Sequence, residues 1–199
     1  MEAFQTQERL ILASASPRRR DFLTDLGLVF EVRVTDIDET LQPGEQPADF
    51  VARLAQEKAQ TVAQPDAWVL AADTVVVVDG EILGKPGDEE QACAMLMRLS
   101  GRWHEVWTGF SLWRQATGEM YTKTVCTKVR FLPLAPELCR AYVRTGEPLD
   151  KAGAYGIQGK GCFLVPEISG SYTNVVGLPM AEVLEALLHH KVIAPQEGG

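Results

Sequence analysis

The chain has 199 residues, of which 46% are hydrophobic and 23% are charged, and its formal net charge is −8. This length allows one domain with a sizeable core, or two small lobes. The acidic balance excludes a general nucleic-acid binder, which would need a basic face. No apolar run approaches the ~20 residues of a membrane span, and the polar start lacks the apolar segment of a signal peptide, so a reducing cytoplasm is the expected location.

The first informative stretch covers residues 10–20, where an apolar run predicts a short buried strand that feeds a helix. Ser16 suits the N-cap of that helix, and Pro17 suits its first position. Three arginines follow, where cations oppose the helix dipole, so exposed N–H groups, hydroxyls and guanidiniums together favour a bound polyphosphate. Solvated arginines on a capped surface helix are an equally simple interpretation. The candidate phosphate contacts in this stretch are Ser14, Ser16, Arg18 and Arg19.

An acidic loop follows the second predicted strand, which covers residues 30–35. The loop carries Asp36, Asp38 and Glu39, whose carboxylate oxygens suit Mg²⁺ or Mn²⁺, cations that keep several waters and bridge phosphates. A solvated acidic loop fits the pattern equally well. A helix over about residues 48–63 comes next, and it places Lys58 near the edge of its apolar face. Taken alone, such a lysine is more often a surface residue.

Asp73 is the most informative single residue, because it ends the apolar strand predicted at residues 68–72. In α/β sheets, ligands gather at the carboxyl ends of strands. An aspartate there can ligate a divalent cation or act as a general base. The alternative is a turn aspartate whose side chain binds the nearby backbone. A second apolar run at residues 75–78 and the hairpin pair Asp79-Gly80 follow.

Two further segments combine glycine with a polar side chain. Lys85 lies between Gly84 and Pro86, in a turn rather than a helix. Residues 150–161 are rich in glycine, so their backbone could approach a ligand closely, and Gln158 there offers amide donors and an acceptor for a nucleobase edge. A surface lysine and a flexible connector are the plain alternatives. The segment matches neither a P-loop nor a dinucleotide-binding motif.

The remaining pattern completes a mixed α/β fold. It predicts helices near residues 88–101, 136–144 and 179–189, and strands near residues 103–113, 121–132 and 162–168. Helices and strands alternate early and a long strand pair follows, so we expect a mixed central sheet flanked by helices. We expect a single domain over residues 1–199, with flexible tails at residues 1–8 and 194–199.

Six short motifs together resemble the Maf proteins, a family of nucleoside-triphosphate pyrophosphatases. They lie at residues 14–19, 57–59, 72–74, 84–86, 100–101 and 176–179. Each motif alone is weak, whereas six in register over nearly the whole chain are highly specific. The resemblance implies two lobes of one α/β fold around a cleft, similar to the inosine-triphosphate pyrophosphatases, and often a homodimer.

The resemblance also implies an activity and roles for individual residues. The activity is hydrolysis of a nucleoside triphosphate to the monophosphate and pyrophosphate, with Mg²⁺ or Mn²⁺ as the divalent metal. Asp73 would be the proton acceptor for the attacking water, and it would hold the metal together with Glu39. The residues that would hold the phosphates are Arg18, Arg19, Lys58 and Lys85.

Base choice divides this family into subgroups. Arg18, Thr74 and Gln158 resemble the dTTP/UTP pyrophosphatase subgroup, whereas the 7-methyl-GTP subgroup carries tryptophan, glutamine and glutamate at these positions. Gly84 is a small departure, because glutamate is expected there. Uracil and thymine differ by one methyl, worth about 1–3 kcal/mol in a pocket, so both nucleotides are expected substrates, and modified pyrimidine triphosphates are further candidates. A 7-methyl-GTP pyrophosphatase and a nucleotide-sensing, division-related binding module remain alternative hypotheses.

Overall fold

The computed structural model describes residues 3–62 and 64–196. Over these residues the strands are β1 (Phe4–Thr6), β2 (Leu10–Ala13), β3 (Glu31–Val32), β4 (Trp68–Val78), β5 (Glu81–Leu83), β6 (Trp103–Arg114), β7 (Glu119–Arg130), β8 (Glu167–Ser169) and β9 (Ile193–Pro195). The helices are α1 (Pro17–Asp25), α2 (Pro47–Thr61), α3 (Glu89–Leu99), α4 (Pro136–Val143), α5 (Tyr172–Val176) and α6 (Met180–His189). Short 3₁₀ turns cover Glu147–Asp150, Ala152–Ala154 and Gly159–Leu164.

The larger sheet is mixed, as predicted. Its strand order is β3-β2-β4-β6-β7-β8, and β5 pairs with β4 outside this path. β2 runs parallel to β3 and to β4, whereas β5 is antiparallel to β4 and β8 is antiparallel to β7. Together with the helices, this sheet confirms the predicted α/β class. Within the described ranges, none of the helices combines the length and the hydrophobicity that crossing a bilayer requires.

The chain forms two compact units, and β4, β6 and β7 each contribute residues to both. The first unit comprises Met1–Asp73, Thr108–Thr124 and Gly177–Gly199. The second unit comprises Thr74–Trp107 and Val125–Val176. The single domain expected over the whole chain stays a prediction.

In the first unit, helices cover both faces of β2. Leu12 belongs to a buried cluster that includes Leu23 of α1 and Leu187 of α6. Ile11, one residue earlier, belongs to a separate buried cluster that includes Ala59 of α2. Because successive side chains of a strand point to opposite faces, a strand that is covered on both faces is apolar throughout. This explains the continuous apolar run of β2, and it places α1 and α2 on opposite faces of the sheet.

The ends of the described chain are paired, which corrects part of the prediction of flexible tails. β1 is antiparallel to β9, with Phe4 opposite Pro195, and Phe4 also packs against the buried cluster of the first unit. The two strands lie at opposite ends of the sequence, so no local pattern indicates that they meet. Residues 1–2 and 197–199 of the predicted tails lie outside the described residues.

The second unit has its own core, which includes buried side chains of α3 and α4. Asp88 caps α3 by accepting the Gln91 N–H at 2.7 Å, as its position before the helix predicts. Asp79 and Gly80 connect β4 to β5 with φ angles of 54° and 77°. These values are typical of the type I′ turn that the pair predicts. Both features are local, and both are confirmed.

Two strand boundaries differ from the prediction in the first half of the chain. The strand predicted at residues 30–35 is reduced to β3. Because its partner β2 ends at Ala13, which would lie opposite Arg33 in this register, Val34 and Thr35 have no pairing partner in β2. The strand predicted at residues 68–72 does not end at Asp73. Instead, β4 continues through Asp73 and Thr74 into the second apolar run.

The strand predicted at residues 162–168 is also wrong. A 3₁₀ turn occupies Gly159–Leu164, and the strand of this region is the short β8, which begins only at Glu167. The carboxylate of Glu147 binds the backbone N–H groups of Lys160 and Gly161, so it holds the first part of this 3₁₀ turn just before the predicted strand. The periodicity of the segment carries no sign of this carboxylate, which lies 13 residues before Lys160 in sequence.

Candidate active site

Asp73 lies where the parallel pairing of β2 and β4 ends. Ala13 is opposite Ala71 in that ladder, so the chain leaves β2 at Ser14 while β4 continues through Ala72 to Asp73. The prediction that Asp73 ends its own strand is therefore wrong. It does lie beyond the carboxyl end of the neighbouring strand, which is where ligands gather in α/β sheets. Asp73 is 9% exposed.

Lys58 is the partner of Asp73. Its ammonium nitrogen lies 2.5 Å from Asp73 Oδ1 and 2.6 Å from Glu39 Oε1. The lysine comes from α2, the aspartate from β4, and the glutamate from the loop before α2. The Lys58 and Asp73 side chains are 12% and 13% exposed, whereas that of Glu39 is 46% exposed. The three residues are predicted from separate parts of the sequence, and in the structure the carboxylates of Glu39 and Asp73 both contact the Lys58 nitrogen.

Arg19 connects the start of α1 to the strand segment beside Asp73. Its Nη1 donates to the Ala72 carbonyl at 2.6 Å and to Ser14 Oγ at 3.2 Å, and its Nε donates to the Gly177 carbonyl at 2.8 Å. Burial lowers the pKa of Arg19, and the Asp73 carboxylate opposes that shift. The Arg19 guanidinium therefore links α1 to β4 and to the segment that carries Gly177. Its contact with phosphate stays a prediction.

The start of α1 has the predicted arrangement. Ser16 is the N-cap residue, although its side chain makes no capping hydrogen bond, and Pro17 is the first helical residue. Ser14 Oγ accepts the Ser16 N–H at 3.2 Å, and Ser14 is buried. Arg18 is half-buried, and its charge further lowers the pKa of Arg19. Two guanidiniums and two hydroxyls thus lie at one helix start, and their binding of phosphate stays a prediction.

Arg53 of α2 binds the loop that carries Glu39. The sequence motifs did not identify this residue. Its Nε and Nη2 form a fork on the Glu45 carboxylate at 2.7 and 2.8 Å, and Nη2 also donates to the Thr40 carbonyl at 3.1 Å. The hydrogen bonds with Glu45 raise the pKa of Arg53 above its ordinary value. In sequence, the available signal is the helical spacing of Arg53 and Glu57, which form an ion pair at 3.3 Å. That spacing does not indicate which loop the arginine holds.

The second unit carries Thr74, Lys85 and Gln158. Thr74 is half-buried in β4, whereas Lys85 and Gln158 are exposed. The segments that carry the latter two are connected, because the Gly153 N–H donates to the Gly84 carbonyl at 3.0 Å. The contacts of all three side chains with a substrate stay predictions.

Glu39 and Asp73 are the predicted metal ligands, and their geometry allows a test of that prediction. Both carboxylates contact the Lys58 nitrogen, so two hard oxygen ligands lie near a common point. Mg²⁺ and Mn²⁺ suit such a pair when water and phosphate oxygens complete the coordination shell. Within residues 3–62 and 64–196, no group of three or more His, Cys, Asp or Glu side chains could hold a metal ion. The residues thus fit a metal that binds together with phosphate, rather than one held by protein alone.

Comparison with known proteins shows the family of the chain. The family model described as Maf-like protein matches residues 9–190. A protein of Desulfotalea psychrophila named dTTP/UTP pyrophosphatase is 52% identical over 193 residues, which are 96% of this chain and 99% of that protein. Proteins of the same name from Myxococcus xanthus and Geobacter metallireducens are 54% and 53% identical, over 91% and 90% of this chain and 92% and 94% of their own lengths. The chain belongs to the Maf-like protein family.

Proposed function

We propose that this chain is a nucleoside triphosphate pyrophosphatase that hydrolyses dTTP and UTP to the monophosphate and pyrophosphate. The observation that carries this proposal is the cluster of Lys58, Asp73 and Glu39, next to the strand segment that Arg19 binds. The names of the similar proteins from D. psychrophila, M. xanthus and G. metallireducens support the choice of substrates.

Asp73 is the proton acceptor in the proposed reaction. A water molecule attacks phosphorus and passes its proton to the Asp73 carboxylate, while the bridge between the α- and β-phosphates breaks and pyrophosphate leaves. Phosphoryl transfer needs positioning and charge stabilisation more than covalent chemistry. The position of Asp73 inside the continuous strand β4, just beyond the end of β2, supports this role because the strand fixes where the carboxylate lies.

The charges of the phosphates are balanced by cations of the chain in this proposal. Guanidiniums bind phosphate oxygens through paired hydrogen bonds, and ammonium groups act as point charges. The proposed contacts are Ser14, Ser16, Arg18, Arg19, Lys58 and Lys85. Mg²⁺ or Mn²⁺, held by Glu39 and Asp73, would supply further charge neutralisation when bound. If oxyanion-hole magnitudes apply, losing one donor would raise the barrier by about 2.7–4 kcal/mol.

Base choice is assigned to Arg18, Thr74 and Gln158, on the resemblance to the dTTP/UTP subgroup. An amide such as that of Gln158 can donate to one polar group of a pyrimidine edge and accept from another. The whole chain acts as a single domain in this proposal. It acts in the cytoplasm, the location expected from the sequence, and a homodimer is the assembly that the resemblance often implies.

A substrate panel tests the proposal. Purified chain would be incubated with dTTP, UTP, CTP, GTP and 7-methyl-GTP in Mg²⁺ or Mn²⁺, and monophosphate and pyrophosphate would be separated by chromatography. We expect pyrophosphate from dTTP and UTP at the highest rates. A chain that is inert on both but fast on 7-methyl-GTP would contradict the substrate assignment. Nucleotide binding without turnover at saturating metal would favour a binding module over an enzyme.

A further inference from the structure

In the second unit, the Glu147 carboxylate holds one end of the glycine-rich loop formed by residues 156–161. Its Oε2 accepts the Lys160 N–H at 2.9 Å, and its Oε1 accepts the Gly161 N–H at 3.0 Å. Oε1 also accepts the hydroxyl hydrogen of Tyr142 at 2.9 Å. Three donors from two different segments thus converge on one carboxylate.

Tyr142 of α4 holds the other end of the same loop. Its hydroxyl oxygen accepts the Gly156 N–H at 3.1 Å while its hydrogen goes to Glu147. Gln158 lies between the two anchored ends, with Gly156 on one side and Lys160 on the other. The pair of Glu147 and Tyr142, called here the loop clamp, therefore fixes the backbone on both sides of the exposed Gln158 side chain.

Two of the three glycines of the loop, Gly159 and Gly161, fit directly against the loop clamp. A Cβ atom at Gly159 would lie 2.7 Å from Glu147 Oε2, and a Cβ atom at Gly161 would overlap the Tyr142 hydroxyl. Gly159 also has a φ of +70°, which side-chain-bearing residues rarely adopt. Close contact with the clamp therefore explains the glycines at these two positions, and a flexible connector is not needed to explain them.

In the loop clamp, Glu147 is charged and Tyr142 is neutral, as their hydrogen bonds require. Burial alone raises the pKa of Glu147, but the hydrogen bonds from Lys160, Tyr142 and Gly161 outweigh that effect, so the pKa of this carboxyl lies below its usual value. Burial raises the pKa of Tyr142, which keeps its hydroxyl neutral. At neutral pH an ionised acceptor thus faces three donors, and charge-assisted hydrogen bonds of this kind are stronger than neutral ones.

We infer that Glu147 is a positioning residue which, with Tyr142, holds Gln158 in the orientation that selects the nucleobase. This inference rests on the proposed function, since Gln158 selects a base only if the chain takes a nucleotide. Glu147 touches backbone and a tyrosine, so its effect on the substrate passes through the loop. If the clamp supports folding alone, its loss changes stability and leaves the relative rates on different bases untouched.

Three variants test this inference in the full chain. Glu147→Gln removes the charge with little change of shape, Tyr142→Phe removes the hydroxyl, and Glu137→Gln is the matched control on the exposed surface of α4. We expect KM for dTTP to rise about tenfold in the two clamp variants with kcat within about twofold, because losing one charged hydrogen bond is of that order. The preference for dTTP over dGTP should fall by a similar factor, and amide hydrogen exchange over residues 156–161 should accelerate. The control should match the wild type in all three measurements.

A double-mutant cycle with Gln158→Ala separates the possible outcomes. If Glu147 acts through Gln158, adding Glu147→Gln to Gln158→Ala should change the dTTP/dGTP preference by less than about twofold. Additive losses, or a Glu147→Gln variant with lower stability and unchanged preference, would overturn the inference while leaving the proposed function intact. A wild-type chain that hydrolyses neither dTTP nor UTP would overturn both.

Discussion

The ammonium of Lys58 lies 2.5 Å from Oδ1 of Asp73, and neither side chain is more than 13% exposed. A carboxylate at this depth needs a compensating charge, because removing its partner leaves it poorly solvated. The pair also ties α2 to β4 at the point where β2 ends. Lys58 therefore contributes to stability as well as to the proposed chemistry, and the two contributions can be measured separately.

Replacing Lys58 by methionine removes the charge and keeps most of the side-chain volume. We expect the free energy of unfolding to fall by about 1–3 kcal/mol, since the Asp73 carboxylate loses its hydrogen-bonding partner in a mostly buried position. Urea denaturation at pH 7 measures this change. Lys128→Met, at an exposed position of β7, should change the stability by less than about 0.5 kcal/mol. A Lys58→Met variant as stable as the wild type would show that Asp73 does not depend on the lysine.

Arg19→Lys tests whether the guanidinium holds α1 in place. A lysine keeps the positive charge, but it cannot donate to Ala72, Ser14 and Gly177 from the fixed positions that the guanidinium uses. We expect a loss of about 1.5–3 kcal/mol in the free energy of unfolding, which is the range for hydrogen bonds to charged groups. Arg20→Lys on the same helix is exposed and serves as the control. Equal stabilities of the two variants would contradict the structural role of Arg19.

His104 should make the stability pH-dependent. It is 3% exposed and its ring nitrogen Nε2 is hydrogen-bonded to the Tyr155 hydroxyl at 2.8 Å, and burial lowers its pKa to about 4. The unfolded chain protonates this histidine near pH 6.5, whereas the folded chain does not until about pH 4, so stability is lost as the pH falls between these values. The contribution of His104 to this loss should be about 2 kcal/mol at pH 5.

The test compares urea unfolding at pH 7 and pH 5 in the wild type, His104→Phe and Tyr155→Phe. His104→Phe leaves the Tyr155 hydroxyl without its partner, which lowers stability at both pH values but removes the titration. Tyr155→Phe keeps the buried histidine and should keep the pH-dependent loss. If His104→Phe loses as much stability as the wild type between pH 7 and pH 5, other groups cause the dependence.

Much of the fold follows from patterns that are local in sequence. The start of α1 at Ser16 and Pro17, the Asp88 cap of α3 and the Asp79-Gly80 hairpin each depend on a few neighbouring residues, and each occurs as predicted. The burial of both faces of β2 is also predictable, because a continuous apolar run is typical of a strand that is covered on both faces. Such features need no knowledge of distant partners.

The contacts that position the candidate site depend on such partners and could not be predicted in this way. The Arg53 fork on Glu45 and the loop clamp join segments whose meeting is decided by the tertiary fold. Gly109 is a similar case, since a Cβ atom there would overlap the Val51 carbonyl of α2. An isolated glycine in a strand pattern indicates that another segment of backbone approaches closely, but it does not identify that segment.

The most direct test of the proposed chemistry is the rate of pyrophosphate release from dTTP by the Asp73→Asn variant at saturating metal. Asparagine keeps the shape of the side chain and cannot accept the proton of the attacking water at neutral pH, so we expect kcat to fall by about 10²–10⁴. Binding of dTTP, measured by calorimetry, should persist, and Asp66→Asn, whose carboxylate pairs with Arg9, should retain full activity. An Asp73→Asn variant that releases pyrophosphate at the wild-type rate would contradict the assignment of Asp73 as the proton acceptor.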